Sequence, residues 1–96
     1  MTGEFGRTPE INAMAGRDHW PSVFSAVVAG AGVRGGQVWG ASDERAGFVK
    51  DNPVQIPDLI ASVYKKLGID YQKEYVSNIG RPIKLAANGR PLDFPF

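Results

Sequence analysis

The sequence has 96 residues, a formal net charge of +1 and no Cys. A chain this short makes one domain at most and buries only somewhat more than about 60% of its unfolded surface, with neither a disulfide framework nor a thiolate metal site. Eleven Lys and Arg against ten Asp and Glu are scattered along it, and its longest nearly apolar run, "VFSAVVAGAGV", is far short of the roughly 20 residues of a membrane span, so neither nucleic acid nor membrane is an expected partner.

Residues 1–21 carry glycines and prolines with little periodicity and read as loop. The opening "EFGRTP" is turn-like, with no strand or capped helix before it, as expected of the tail of a longer protein. The run "SVFSAVVAG" over 22–30, rich in Val and bounded by Pro21 and Gly30, is expected to be a buried strand. After a glycine loop, "QVWGASD" over 37–43 reads as a second short strand, and 44–55 as loop.

From 57 to 67 the apolar residues Leu59, Ile60, Val63, Tyr64 and Leu67 recur at helical spacing. Pro57 and Asp58 suit a first turn, Lys65 and Lys66 a last turn, and Gly68 the C-terminal cap. Beyond it, a short polar helix is expected over 71–77, followed by a hairpin in "RPIKLAANGRPLDF" that turns at Asn88 and Gly89.

"GAGVRG" has the spacing of a dinucleotide-binding fingerprint, but that motif works only where a helix starts inside it, and the following "GQVWGAS" is extended in character. No nucleotide is therefore expected. There is no Lys-Ser/Thr phosphate loop, and none of the serines has a plausible catalytic triad.

Chemistry concentrates in "EFGRTPEINAMAGRDHWP", where Glu4, Arg7, Arg17, Asp18 and His19, the only histidine, fall within sixteen positions. Carboxylate oxygen and imidazole nitrogen together suit Zn or Mn, and arginine forks suit an oxyanion. Two ligands leave a metal under-coordinated, so composition alone favours a solvated loop of Arg and carboxylate pairs.

The segments "GEFGRTPEIN", "AGRDHWPSVFSAVVAGAGVRGGQVWGASDE" and "NPVQIPDLIASVYKKLGID" resemble the C-terminal end of a bacterial family, domain of unknown function 1501. That family is similar to sulfatases and the wider alkaline phosphatase superfamily. The resemblance implies an α/β fold in which residues 1–96 are a single partial domain: the C-terminal fragment of a large sandwich, with short strands, one amphipathic helix, a C-terminal hairpin and long loops. It implies a divalent metal (Zn, Mn or Ca) bound by Glu4 and His19. Asp18 would be an acceptor behind His19, and Arg7 and Arg17 contacts for a sulfate or phosphate ester. Where the superfamily has Asp followed by His or Asn, this chain has Glu4 followed by Phe5. Phe5 supplies no ligand, so one metal site is expected to be weaker or absent.

The superfamily's nucleophile and first metal-binding Asp come from an N-terminal part that is absent here and would be this chain's partner. The expected function is thus the C-terminal part of a metal-dependent sulfatase- or phosphatase-like hydrolase, inactive on its own, whose full-length relatives are exported. The rival is a non-catalytic structural or interaction module.

Overall fold

The computed structural model describes residues 1–30 and 32–92. Among them the elements are, in order, β1 (Gly6–Arg7), β2 (His19–Trp20), β3 (Ala41–Ser42), β4 (Val49–Asp51), α1 (Ile56–Lys66), β5 (Glu74–Val76) and β6 (Pro82–Lys84). The strands pair two by two, each pair antiparallel, as β1–β2, β3–β4 and β5–β6. The content is mixed α/β, and the chain divides into two compact units, Met1–Pro53 and the unit that starts at Val54.

In the first unit, the expected strand over 22–30 does not form. Its one ladder contact is an antiparallel bridge between Thr2 and Ala26, with the Val27 N–H donating to Met1 O at 2.7 Å. Apolar β-propensity cannot hold a strand without a neighbour to pair with, and Phe24, Val27 and Val28 are left exposed. The glycines at 30, 32 and 36 have positive φ and lead to β3 with no helix between among the described residues, in keeping with the extended reading of that stretch.

The second predicted strand shrinks to β3, and the predicted loop over 44–55 contains β4. The turn at 43–48 makes this pairing. Asp43 N–H donates to Phe48 O at 2.9 Å, and the Asp43 carboxylate accepts the Gly47 N–H at 2.8 Å. Ala46 sits there in the left-handed region at φ 56°. Ala46→Gly is therefore expected to stabilise the chain by about 0.5–1 kcal/mol, since glycine escapes the Cβ penalty of that conformation at some cost in unfolded-state entropy. A rise in the denaturant midpoint at constant slope is the readout; an unchanged or lower midpoint would count against the turn geometry.

In the second unit, α1 forms within one residue of the predicted span. Asp58 Oδ2 accepts the Gln55 N–H at 3.1 Å and covers one orphan donor of the first turn. At the other end Ile69 N–H donates to Tyr64 O at 2.8 Å and Gly68 N–H to Lys65 O at 3.1 Å, with Gly68 at φ 76°. This is a Schellman close, which glycine allows without strain.

The predicted helix over 71–77 is corrected to a turn and a strand. Asp70 takes the Gln72 N–H on its side chain and the Lys73 N–H on its carbonyl, which ends any helical path before "EYV" enters β5. β6 pairs back with β5, in the register Glu74 with Lys84, Tyr75 with Ile83 and Val76 with Pro82, through the turn at 77–80. The hairpin partner of β6 is thus upstream, not downstream; residues 93 and 94 of that prediction lie outside the described residues.

After the turn at 85–88 the chain returns along α1. Arg90 N–H donates to Asp58 Oδ1 at 3.0 Å and Leu92 N–H to Ser62 Oγ at 2.8 Å, while Ser62 Oγ donates to Asp58 O at 2.8 Å. Among the described residues of this unit Ala61, Ser62 and Ala86 are buried, and they form a seam of small side chains beside α1. A Cβ on Gly89 would collide with the Pro57 carbonyl, so only glycine lets the returning chain come this near.

Candidate metal and oxyanion site

Arg7, Arg17, Asp18 and His19 lie on β1, β2 and the loop joining them, and Glu4 comes two residues before β1. Gly6 pairs with Trp20 and Arg7 with His19. The ladder continues through Thr8 N–H to Asp18 O at 3.0 Å and Asp18 N–H to Thr8 Oγ1 at 3.2 Å. The chain comes this close because Gly6 has no side chain; a Cβ there would run into the Val23 carbonyl.

Directly opposed residues of an antiparallel pair share a face, so Arg7 and His19 stand together. Phe5, two residues before Arg7, joins them. Its ring stacks on the His19 imidazole with centroids 3.7 Å apart and planes at 22°, and the Arg7 guanidinium carbon lies 5.4 Å from the Phe5 centroid. His19 is exposed, and its ring nitrogens make no hydrogen bond among the described residues. Phe5, which supplies no ligand atom, is thus the ring that packs against the imidazole.

The other candidates are drawn into the loop. Asp18 Oδ1 accepts from Asn12 Nδ2 at 3.0 Å and is not bonded to His19. Arg17 Nη1 donates to Thr8 O and Pro9 O, both at 2.8 Å, and Arg7 Nη1 to Arg17 O at 3.0 Å. Glu4 is exposed and forms no hydrogen bond or ion pair among the described residues. No group of three or more His, Asp or Glu placed to hold a metal occurs among the described residues, so Glu4 and His19 offer at most part of a coordination shell.

Sequence reasoning missed Asn12. Its Oδ1 accepts the N–H groups of Met14 and Gly16 at 3.0 Å each, its own N–H donates to Gly16 O at 2.8 Å, and its amide nitrogen holds Asp18. Two N–H donors on one side and a carboxylate on the other fix which side-chain atom is oxygen. The available signal was an Asn four residues before a Gly in a polar loop, the pattern of an Asx-type turn.

Trp20 carries the pair to the rest of the unit. Its Nε1 donates to Gly47 O at 2.6 Å, and its ring meets Phe48 edge-on at 5.8 Å. Arg45 and Glu10 add an ion pair at 3.3 Å that is solvent-exposed and worth little.

A family model described as Protein of unknown function (DUF1501) matches residues 1–94. The chain belongs to the DUF1501 family. No curated protein and no solved structure matches this DUF1501 chain. The DUF1501 match takes in β1, β2 and α1 together, so the candidate loop and the helix belong to one family unit.

Proposed function

We propose that this DUF1501 chain supplies one side of a divalent-metal site in a sulfatase- or phosphatase-like hydrolase of the alkaline phosphatase superfamily, as the C-terminal part of a larger α/β sandwich. The observation that carries this reading is the pairing of β1 with β2, which stands Arg7 opposite an exposed His19 whose nitrogens are uncommitted. Glu4 and His19 are the ligands. Arg7 and Arg17 each use one Nη in bracing the loop, and their remaining N–H groups are the oxyanion contacts for a sulfate or phosphate ester. Asp18, tied to Asn12, holds the loop behind His19.

A Zn, Mn or Ca ion held there would polarise an ester oxygen and help generate the nucleophile. The remaining ligands and the nucleophile come from the N-terminal part of the parent. Burial supports a larger body. Among the described residues only Gly47, Ala61, Ser62 and Ala86 are buried, while large apolar residues such as Phe48, Leu67 and Ile83 are exposed. Full-length relatives are read as exported.

One observation favours a second reading, a non-catalytic structural or interaction module: the polar groups of Arg7, Arg17 and Asp18 already serve the loop itself. The two readings part on a full-length DUF1501 protein. The hydrolase reading expects bound divalent metal and turnover of aryl sulfate or aryl phosphate, lost on chelation and restored by metal, and no turnover by the 96-residue chain, because positioning and a nucleophile supply most of the rate. A metal-free, inactive full-length protein would leave the second reading standing; chelation-sensitive turnover by the short chain would sink the partial-domain reading.

A further inference from the structure

Of the four asparagines, Asn88 alone precedes a glycine, and the structure gives that step a chemistry independent of the hydrolase reading. Asn88 is exposed in the turn at 85–88. Lys84 Nζ donates to Asn88 Oδ1 at 3.2 Å, which draws electron density from the side-chain carbonyl carbon and favours the oxyanion that forms when that carbon is attacked. Gly89, next in the chain, has no Cβ to shield its nitrogen. The bond from Gly89 N–H to Ala86 O at 2.9 Å and the packing of Gly89 against the Pro57 carbonyl both oppose attack, which waits on opening of the turn. Ala87, held in the left-handed region at φ 48°, makes that opening cheaper.

We propose that Asn88 is a deamidation site and that its product releases the 89–92 segment from α1. The Gly89 nitrogen gives its proton to solvent and attacks Asn88 Cγ. A new N–Cγ bond forms, the Cγ–Nδ2 bond breaks, and the amide nitrogen leaves as ammonia after taking a proton from solvent. Water then opens the five-membered succinimide at either carbonyl, to Asp or to isoaspartate. The isoaspartate path adds one methylene to the main chain immediately before Gly89, the residue whose approach to the Pro57 carbonyl leaves no room even for a Cβ. The bonds from Arg90 N–H to Asp58 and from Leu92 N–H to Ser62 cannot both survive that insertion.

The test is to age the purified 96-residue chain in mildly alkaline buffer, map it by peptide mass spectrometry, and detect isoaspartate by enzymatic methylation. Asn88 should convert while Asn12, Asn52 and Asn78 stay intact over the same period. Lys84→Ala should slow conversion about threefold, the scale of an exposed charge effect. Amide exchange at Arg90 and Leu92 should quicken in the aged chain but not in aged Asn88→Gln. Conversion of Asn78 as fast as Asn88, an unchanged rate in Lys84→Ala, or full protection of Arg90 and Leu92 in the converted fraction would each overturn the proposal.

Discussion

Gly89→Ala is expected to cost about 3 kcal/mol or more and to detach the 89–92 segment from α1. The new Cβ would overlap the Pro57 carbonyl oxygen and carbon and lie 2.9 Å from Asp58 N, all of them backbone atoms that cannot rotate aside as a side-chain tip would. Overpacking usually costs about 1–3 kcal/mol, and a clash with fixed helix backbone belongs at the upper end or beyond. Separation also removes the bond from Leu92 N–H to Ser62 Oγ, leaving that hydroxyl only its bond to Asp58 O, so a lost hydrogen bond adds to the steric cost. The core of this unit is built on Ala61 and Ala86 and holds little in reserve. Gly35→Ala is the matched control: nothing lies within 4 Å of its Cβ position, so the change should stay within about 0.5 kcal/mol. Denaturant unfolding followed by the helical signal of α1 separates the two. Equal midpoints would mean that the close approach of Gly89 to Pro57 does not exist in solution.

The second large effect is expected at His19, in a full-length DUF1501 protein. On the hydrolase reading, His19→Ala should lower metal content and activity together, activity by at least about a hundredfold, the upper range seen when merely an outer partner of a ligand is lost. Stability should fall by only about 1 kcal/mol, because the exposed ring contributes its stack on Phe5 and no hydrogen bond. Arg34→Ala, on the glycine loop with no assigned role, controls for general damage. Metal analysis, turnover and a melting curve on the same preparations give the answer. Should the His19 variant keep full metal and activity, the role of His19 is structural and the hydrolase reading fails at its central residue.

The helix was legible because its signals are dense and local: Pro57 and Asp58 at the start, apolar residues at helical spacing, two lysines and Gly68 at the end. The strands were not, since elements of two or three residues are too short to show a period of two, and their pairing is set by turns. The turn at 43–48 announces itself only through Asp43 and Gly47, four residues apart, and "EYV" was mistaken for helix because the Asp70 turn before it offers the same polar residues as a helical first turn. At the candidate site, the cluster of residue types could be read, but not which atoms meet. The sequence places Asp18 beside His19, whereas in the structure Asp18 comes just before β2 and its carboxylate is taken by Asn12. Phe5 could be read only as a missing ligand, because its stack on His19 depends on the register of β1 against β2.

The bond from Trp20 Nε1 to Gly47 O reaches across 27 positions and ends on a main-chain oxygen. No side-chain replacement at 47 can delete that acceptor; it can only be moved, by changes that alter the path of the turn, such as loss of the Asp43 carboxylate that holds Gly47 N–H. Position 47 is itself buried, with Pro9 Cγ 3.3 Å from where a Cβ would stand. Substitutions at 43 and 47 therefore act on the strand that carries His19 through Trp20, and their effects will be non-additive with changes at 9 and 20. Across divergent sequences these four positions should change in concert, an epistatic group that offers no ligand yet constrains how the histidine loop can evolve.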